Sequence, residues 1–123
     1  MATYTMLTRL RVRLKKGVMV VRFKDTRLIS EEMEVKPVRT ELVCIPVDGV
    51  PQKVILNLRV VKSYCSSLIG TLAAFYRTIV IRDGGRIAMC NVDPALLGAF
   101  QTMQLGKLFN IQASESAALK SLQ

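Results

Sequence analysis

The sequence predicts an α/β fold in which a mixed, mostly parallel β-sheet carries packed helices and an N-terminal β-hairpin at its edge. Three observations lead there. Arginines alternate with apolar residues from Arg9 to Leu14, the period-two signature of a half-buried strand, and a mostly apolar, β-branched run from Val18 to Phe23 follows. Val54-Ile55-Leu56-Asn57-Leu58 is almost continuously apolar, as befits a central strand covered by helices on both faces. From there to the C-terminus helix-like and strand-like stretches alternate, which favours parallel strands joined by right-handed crossovers.

Taken in order, Lys15-Lys16-Gly17 reads as the hairpin turn, and Arg9, Arg11 and Arg13 lie on a strand near a sheet edge, where charge discourages edge pairing. Ser30 followed by Glu31, Glu32 and Glu34 marks a helix start, because a side-chain oxygen caps free amides and acidic groups favour the positive end of the helix dipole. Pro37 falls inside that helix and Pro46 ends it, so the expectation is a kink or a helix confined mostly to Val38 through Ile45. Asp48-Gly49-Val50-Pro51 is a turn. Leu68, Ile69, Leu72, Phe75, Tyr76, Ile79 and Val80 recur at helical spacing, and Asp83-Gly84-Gly85 stops the helix they describe. Ile87 to Cys90 is a second short buried strand. Asp93 caps the next helix with Pro94 in its first turn, and Leu96, Leu97, Phe100 and Met103 form its inner face. Phe109-Asn110-Ile111 is a last short strand, and Ser114 caps a terminal helix running through Leu122.

A chain of 123 residues, half of them apolar, is expected to form one domain over residues 1–123. No apolar stretch approaches the roughly 18 residues of a membrane span, and Met1 to Lys16 shows no apolar segment with a cleavage site, so a soluble, cytoplasmic protein is expected. The three cysteines, Cys44, Cys65 and Cys90, suggest neither a disulfide framework nor a paired metal clamp. Histidine is absent, so the commonest general base is missing and zinc would depend on thiols and carboxylates alone. That argues against most hydrolase mechanisms. No cofactor, metal or catalytic residue is expected.

The net charge is +9, and residues 1–27 hold eight Lys or Arg against Asp25 alone. Such a segment attracts nucleic acid, an anionic membrane surface or an acidic protein, or simply solvates a face. No groove-reading or basic-aromatic motif accompanies it, so any nucleic-acid binding is expected to be sequence-independent and lost with salt. Gly84-Gly85 is not a phosphate loop, because no Walker-type Lys-Ser/Thr follows. Tyr64, Phe75, Tyr76, Phe100 and Phe109 are assigned to the core with Cys44 and Cys90.

From Val54 to Leu72 the chain reads VILNLRVVKSYCSSLIGTL: an apolar strand, a short loop, two serines at a helix start and a glycine one turn in. This order resembles the STAS (anti-sigma-factor antagonist) domain, where a central strand leads to an Asp-Ser-Ser-Gly-Leu-Gly loop and an amphipathic helix. The resemblance continues through Asp83-Gly84-Gly85-Arg86, Met89 to Pro94, Leu105 to Phe109 and the final alanine-rich helix, covering roughly residues 17 to 122. It implies a STAS-like sheet and a non-enzymatic regulator switched by serine phosphorylation. Ser66 matches the serine that antagonists present for phosphorylation, Ser67 the second serine and Gly70 the helix glycine. Cys65 stands where many members have aspartate, and Leu68 replaces the first family glycine. By the same resemblance Cys65, Ser66, Ser67, Leu68, Ile69 and Gly70 form the partner-binding turn, and the partner is an anti-sigma factor with a serine-kinase domain. A constitutive scaffold or accessory subunit of the same fold, for example of a transporter ATPase, is the second reading. A non-specific nucleic-acid-binding module using Arg9, Arg11, Arg13, Lys15 and Lys16 is the third. On residue type alone Ser66 and Ser67 also read as helix caps. Cys65 reads either as a thiol activated by a helix N-terminus or as a small structural residue.

Overall fold

The structure is a computed structural model and describes residues 9–24 and 32–123. Strands β1 (Leu10–Lys15) and β2 (Val18–Phe23) pair antiparallel with Lys15 opposite Val18, and Lys16 and Gly17 make the turn between them at φ of 52° and 77°. Positive φ at both central residues supplies the twist a two-residue hairpin needs. Strands β3 (Lys53–Asn57), β4 (Arg86–Cys90) and β5 (Ile111–Gln112) complete a sheet in the order β1-β2-β3-β4-β5, parallel from β2 onward. This is the mixed, mostly parallel sheet with a hairpin edge that the sequence predicts.

Side chains divide by parity, because successive strand residues point to opposite faces. Met19, Val21, Val54, Leu56, Ile87 and Met89 join one core with residues of helices α1 (Glu32–Val43), α2 (Ser66–Tyr76) and α3 (Pro94–Thr102). Val18, Val20, Ile55, Ala88 and Cys90 join a smaller core beneath α4 (Glu115–Leu122). Coverage on both faces explains why the run from Val54 to Leu58 could be so apolar. Phe100 meets Phe109 edge-on at 5.0 Å between centroids, a favourable aromatic geometry. Asp93 Oδ2 accepts from the Ala95 amide at 3.3 Å and Ser114 Oγ from the Ala117 amide at 3.2 Å, so both expected caps are made.

Four details depart from the sequence reading. Of the two expected outcomes at Pro37, a kink or a helix confined mostly to Val38–Ile45, the second is not what forms: helix α1 contains Pro37. Proline removes one helical hydrogen bond, but Val35, Val38 and Leu42 are buried on both sides of it and hold the helix to the sheet. The expected start at Ser30 and Glu31 lies outside the described residues. Beyond Tyr76, residues Arg77–Arg82 continue α2 as a π-helical segment, and the Asp83 amide donates to the Thr78 carbonyl, five residues back, at 3.1 Å. Cys44 and Met103, both expected inside, are exposed. Each immediately follows the last residue of a helix, where the chain leaves the periodicity that would point it inward. The last strand begins at Ile111, because Asn110 at φ 48° is not extended, although Phe109 is buried as expected.

Cys90 is buried under α4, and burial first, then the Glu115 carboxylate, pushes its thiol up to about 12. Almost no thiolate then exists at neutral pH. Maleimide treatment of the native protein is expected to modify exposed Cys44 and spare Cys90 until denaturant is added. Equal labelling of the two in a peptide mass map would contradict this packing.

Candidate functional site

Open α/β sheets place their sites at the C-terminal ends of the strands, and β3 reaches that edge beside β4. There the Leu58 amide still donates to the Cys90 carbonyl at 3.0 Å, and the Val61 amide closes a turn onto the Leu58 carbonyl at 3.0 Å. Leu58 and Val61 are buried, so the loop is held down while Arg59 and Lys62 stay exposed. Cys65 follows as the N-cap of α2, extended at φ −133° and ψ 170°, with no side-chain capping bond. Its carbonyl takes the Leu68 and Ile69 amides at 3.1 and 3.4 Å. Ser66 and Ser67 therefore occupy the first two helical positions, where backbone amides have no intrahelical acceptor. Ser66 lies at the helix start as expected, but the cap is Cys65 and neither serine.

Burial sorts the six residues of the expected docking turn. Ser66 and Gly70 are exposed, Cys65 and Ser67 are half-buried, and Leu68 and Ile69 are 0% and 4% exposed. Leu68 and Ile69 are core residues here. They begin the inward stripe that continues through Leu72, Phe75 and Ile79, and they support the turn from beneath. A Cβ at Gly70 would meet nothing within 4 Å, which leaves flat, open backbone beside Ser66. At the next residue, Thr71 Oγ1 accepts from Arg39 Nε at 3.2 Å and ties α1 to α2 beside a groove of about 360 Å³. The stretch between Asp48 and Asp83 contains no acidic residue, yet includes Lys53, Arg59, Lys62, Arg77 and Arg82. Of these, Arg59 and Lys62 lie in the loop that leads to Ser66, whereas Lys53 begins β3 and Arg77 and Arg82 lie beyond the far end of α2, so the positive end of the helix dipole and these two loop cations set the charge near Ser66.

A second cluster at the same sheet edge was not singled out by the sequence. Arg22 donates through Nε and Nη2 to Glu115 at 2.7 and 2.8 Å, Asn57 Nδ2 donates to the same carboxylate at 2.5 Å, and Asn91 Nδ2 donates to Asn57 Oδ1 at 3.2 Å. These residues line a cleft of about 590 Å³. The Arg22 hydrogen bond is the largest cause holding the Glu115 carboxyl below its usual range, with Asn57 assisting against the opposing effect of burial. With both oxygens engaged, Glu115 braces α4 over the ends of β2 and β3. Glu115→Ala should cost about 2 kcal/mol, since it strands polar partners. Because the folded pKa is depressed, this stabilisation is present above about pH 4.5 and is lost as pH falls through the folded value. Urea midpoints taken from pH 7 to 3 should therefore fall less steeply for Glu115→Gln than for wild type, and superimposable acid limbs would contradict the brace. Among the described residues, no group of three or more His, Cys, Asp or Glu could hold a metal ion, and no helix is long and apolar enough to cross a membrane.

No protein-family model matches the sequence, and no curated protein matches it. Solved structures do. A STAS domain protein from Planctomyces limnophilus superposes with a TM-score of 0.78 at 22% identity, over 93% of this chain and 97% of the other. An anti-sigma factor antagonist from Mycobacterium paratuberculosis gives 0.75 at 19% identity over 92% of each chain. SpoIIAA, a Bacillus cell fate determinant whose phosphorylated form has been solved, gives 0.64 at 19% identity over 93% of this chain and 99% of the other. With the strand order, the hairpin edge and the helix that starts at Ser66 in place, and with nearly whole chains superposed, this chain carries the STAS fold.

Proposed function

We propose that this chain is a cytoplasmic, non-enzymatic regulatory domain, spanning residues 1–123, that works by docking a protein partner at the start of α2. The observation that carries the reading is Ser66: an exposed hydroxyl on the first helical residue, at the C-terminal edge of the parallel strands, beside backbone amides that no helical carbonyl satisfies. A phosphate there would carry about −1.5 to −2 charges and would sit at the positive end of the helix, so the domain itself tolerates the modification. In this reading Ser66 is the phosphorylation site and Cys65, Ser67 and Gly70 complete the contact surface, with Leu68 and Ile69 holding its shape. The solved phosphorylated form of the structurally similar SpoIIAA supports a switch of this kind, and the antagonist neighbours support a partner of the anti-sigma-factor, serine-kinase type.

The test is recovery of the tagged chain from its native cell followed by phosphopeptide mapping. The reading expects phosphate on Ser66 and a co-purifying partner with an ATP-binding kinase domain. A chain unmodified at Ser66 even when incubated with that partner and ATP would leave the constitutive scaffold as the better account.

A further inference from the structure

Among the described residues strand β1 is the edge of the sheet, and its hydrogen-bond phase can be read from its neighbours. The Lys24 amide donates to the Arg9 carbonyl at 3.0 Å, and the register continues with Arg11 opposite Arg22, Arg13 opposite Val20 and Lys15 opposite Val18. In an antiparallel ladder every second pair is hydrogen-bonded, so Arg11, Arg13 and Lys15 spend their amides and carbonyls on β2. Leu10, Val12 and Leu14 direct theirs outward. At the start of the strand Glu41 of α1 takes both the Arg9 amide, at 2.8 and 3.0 Å, and the Leu10 amide, at 3.0 Å. A carboxylate thus already takes backbone donors at the head of this edge strand. Among the described residues no strand covers the amides and carbonyls of Val12 and Leu14.

The side chains of this edge are equally ordered. Arg11, Arg13 and Lys15 are exposed on the α4 face of the sheet, at intervals of about 6.8 Å set by strand geometry. Leu14, 65% exposed, and half-buried Val12 lie on the opposite face. We propose that β1 accepts an extended acidic segment of a partner protein as a sixth strand, with acidic side chains over the Arg11, Arg13 and Lys15 row and apolar ones against Val12 and Leu14. Main-chain hydrogen bonds supply attachment in strand addition, and alternate side chains supply selectivity. The basic row also decides against a second copy of this chain. Two β1 strands paired across a two-fold axis would set cationic rows side by side on one face, and like charges in cross-strand positions are destabilising. This surface lies on the hairpin edge and does not depend on the reading of Ser66.

The probe is a blocked heptapeptide of alternating glutamate and valine, titrated into the full chain and followed by amide NMR. The Val12 and Leu14 amide resonances are expected to shift and gain protection from exchange, while those of β3 and β4 stay in place. Arg11→Glu combined with Arg13→Glu should weaken the peptide by roughly tenfold or more and create binding of the matching lysine-valine peptide. Val12→Pro should abolish strand addition by removing an outward donor that the β1–β2 ladder does not use. Undiminished binding of the acidic peptide to the charge-reversed protein would overturn the proposal. So would a short single-stranded oligonucleotide that displaces the peptide without moving the Val12 and Leu14 amides, which would mark a general polyanion surface. Concentration-dependent dimerisation of wild type through β1 would overturn it in favour of a second copy.

Discussion

Gly85→Ala is expected to destabilise the fold by about 3 kcal/mol, at the upper end of the usual overpacking range, because the added methyl has nowhere to go. Its Cβ would land on the Gln52 carbonyl oxygen, 2.7 Å from the Gln52 nitrogen and 2.9 Å from the Ile79 carbonyl oxygen. All three are backbone atoms that cannot swing aside as a side chain would. The same atoms hold the junction between α2 and β4: the Gly85 amide donates to the Ile79 carbonyl at 2.8 Å and the Arg86 amide to the Gln52 carbonyl at 2.8 Å. Relieving the clash therefore disturbs both the exit of the π-helical segment and the start of the β3–β4 ladder. Gly70→Ala is the matched control. It lies exposed in α2 with open space around its Cβ, so higher helix propensity should raise stability by about 0.5–1 kcal/mol. Urea denaturation of the two variants should move in opposite directions, and a Gly85→Ala midpoint equal to wild type would refute the packed junction.

What could be read from the sequence was what local chemistry encodes. Alternation at Arg9 to Leu14, the doubly covered run at Val54 to Leu58, and the caps at Asp93 and Ser114 each state their geometry within a few residues. The helix boundary at Pro37 was left open because a local rule against proline meets a tertiary fact, the burial of Val35, Val38 and Leu42 on one face of α1. The Glu115 brace was invisible for a related reason: Arg22 is 93 positions away in the chain and Asn57 is 58, and no spacing rule joins them. The turn at Ser66 was legible only in part. A family motif is carried over as a contiguous string from Cys65 to Gly70, whereas a helix rotates each residue by about 100°, so Ser66 and Gly70 emerge at the surface while Leu68 and Ile69 turn inward. That no described strand covers β1 required knowledge of which strand ends the sheet among the described residues and in which hydrogen-bond phase it lies.

The second large effect is expected at Ser66 and concerns binding rather than stability. Ser66→Asp places a carboxylate at the first position of α2, where the helix dipole favours it, so unfolding should stay within about 1 kcal/mol of wild type. A docked partner, by contrast, must strip water from that charge against a surface shaped for a hydroxyl. Truncating or charging a buried interface group commonly costs several kcal/mol, so the complex should weaken on the order of a hundredfold. Ser66→Ala should bind as wild type and resist phosphorylation, and Leu68→Ala should lose stability through a cavity, by about 2–5 kcal/mol. The decisive measurement is calorimetric titration of the isolated partner into wild type, Ser66→Asp and Ser66→Ala, with a thermal melt of each protein alongside. The account predicts a loss of affinity on the order of a hundredfold for Ser66→Asp alone, with all three proteins melting close together. Equal affinities for wild type and Ser66→Asp would contradict it.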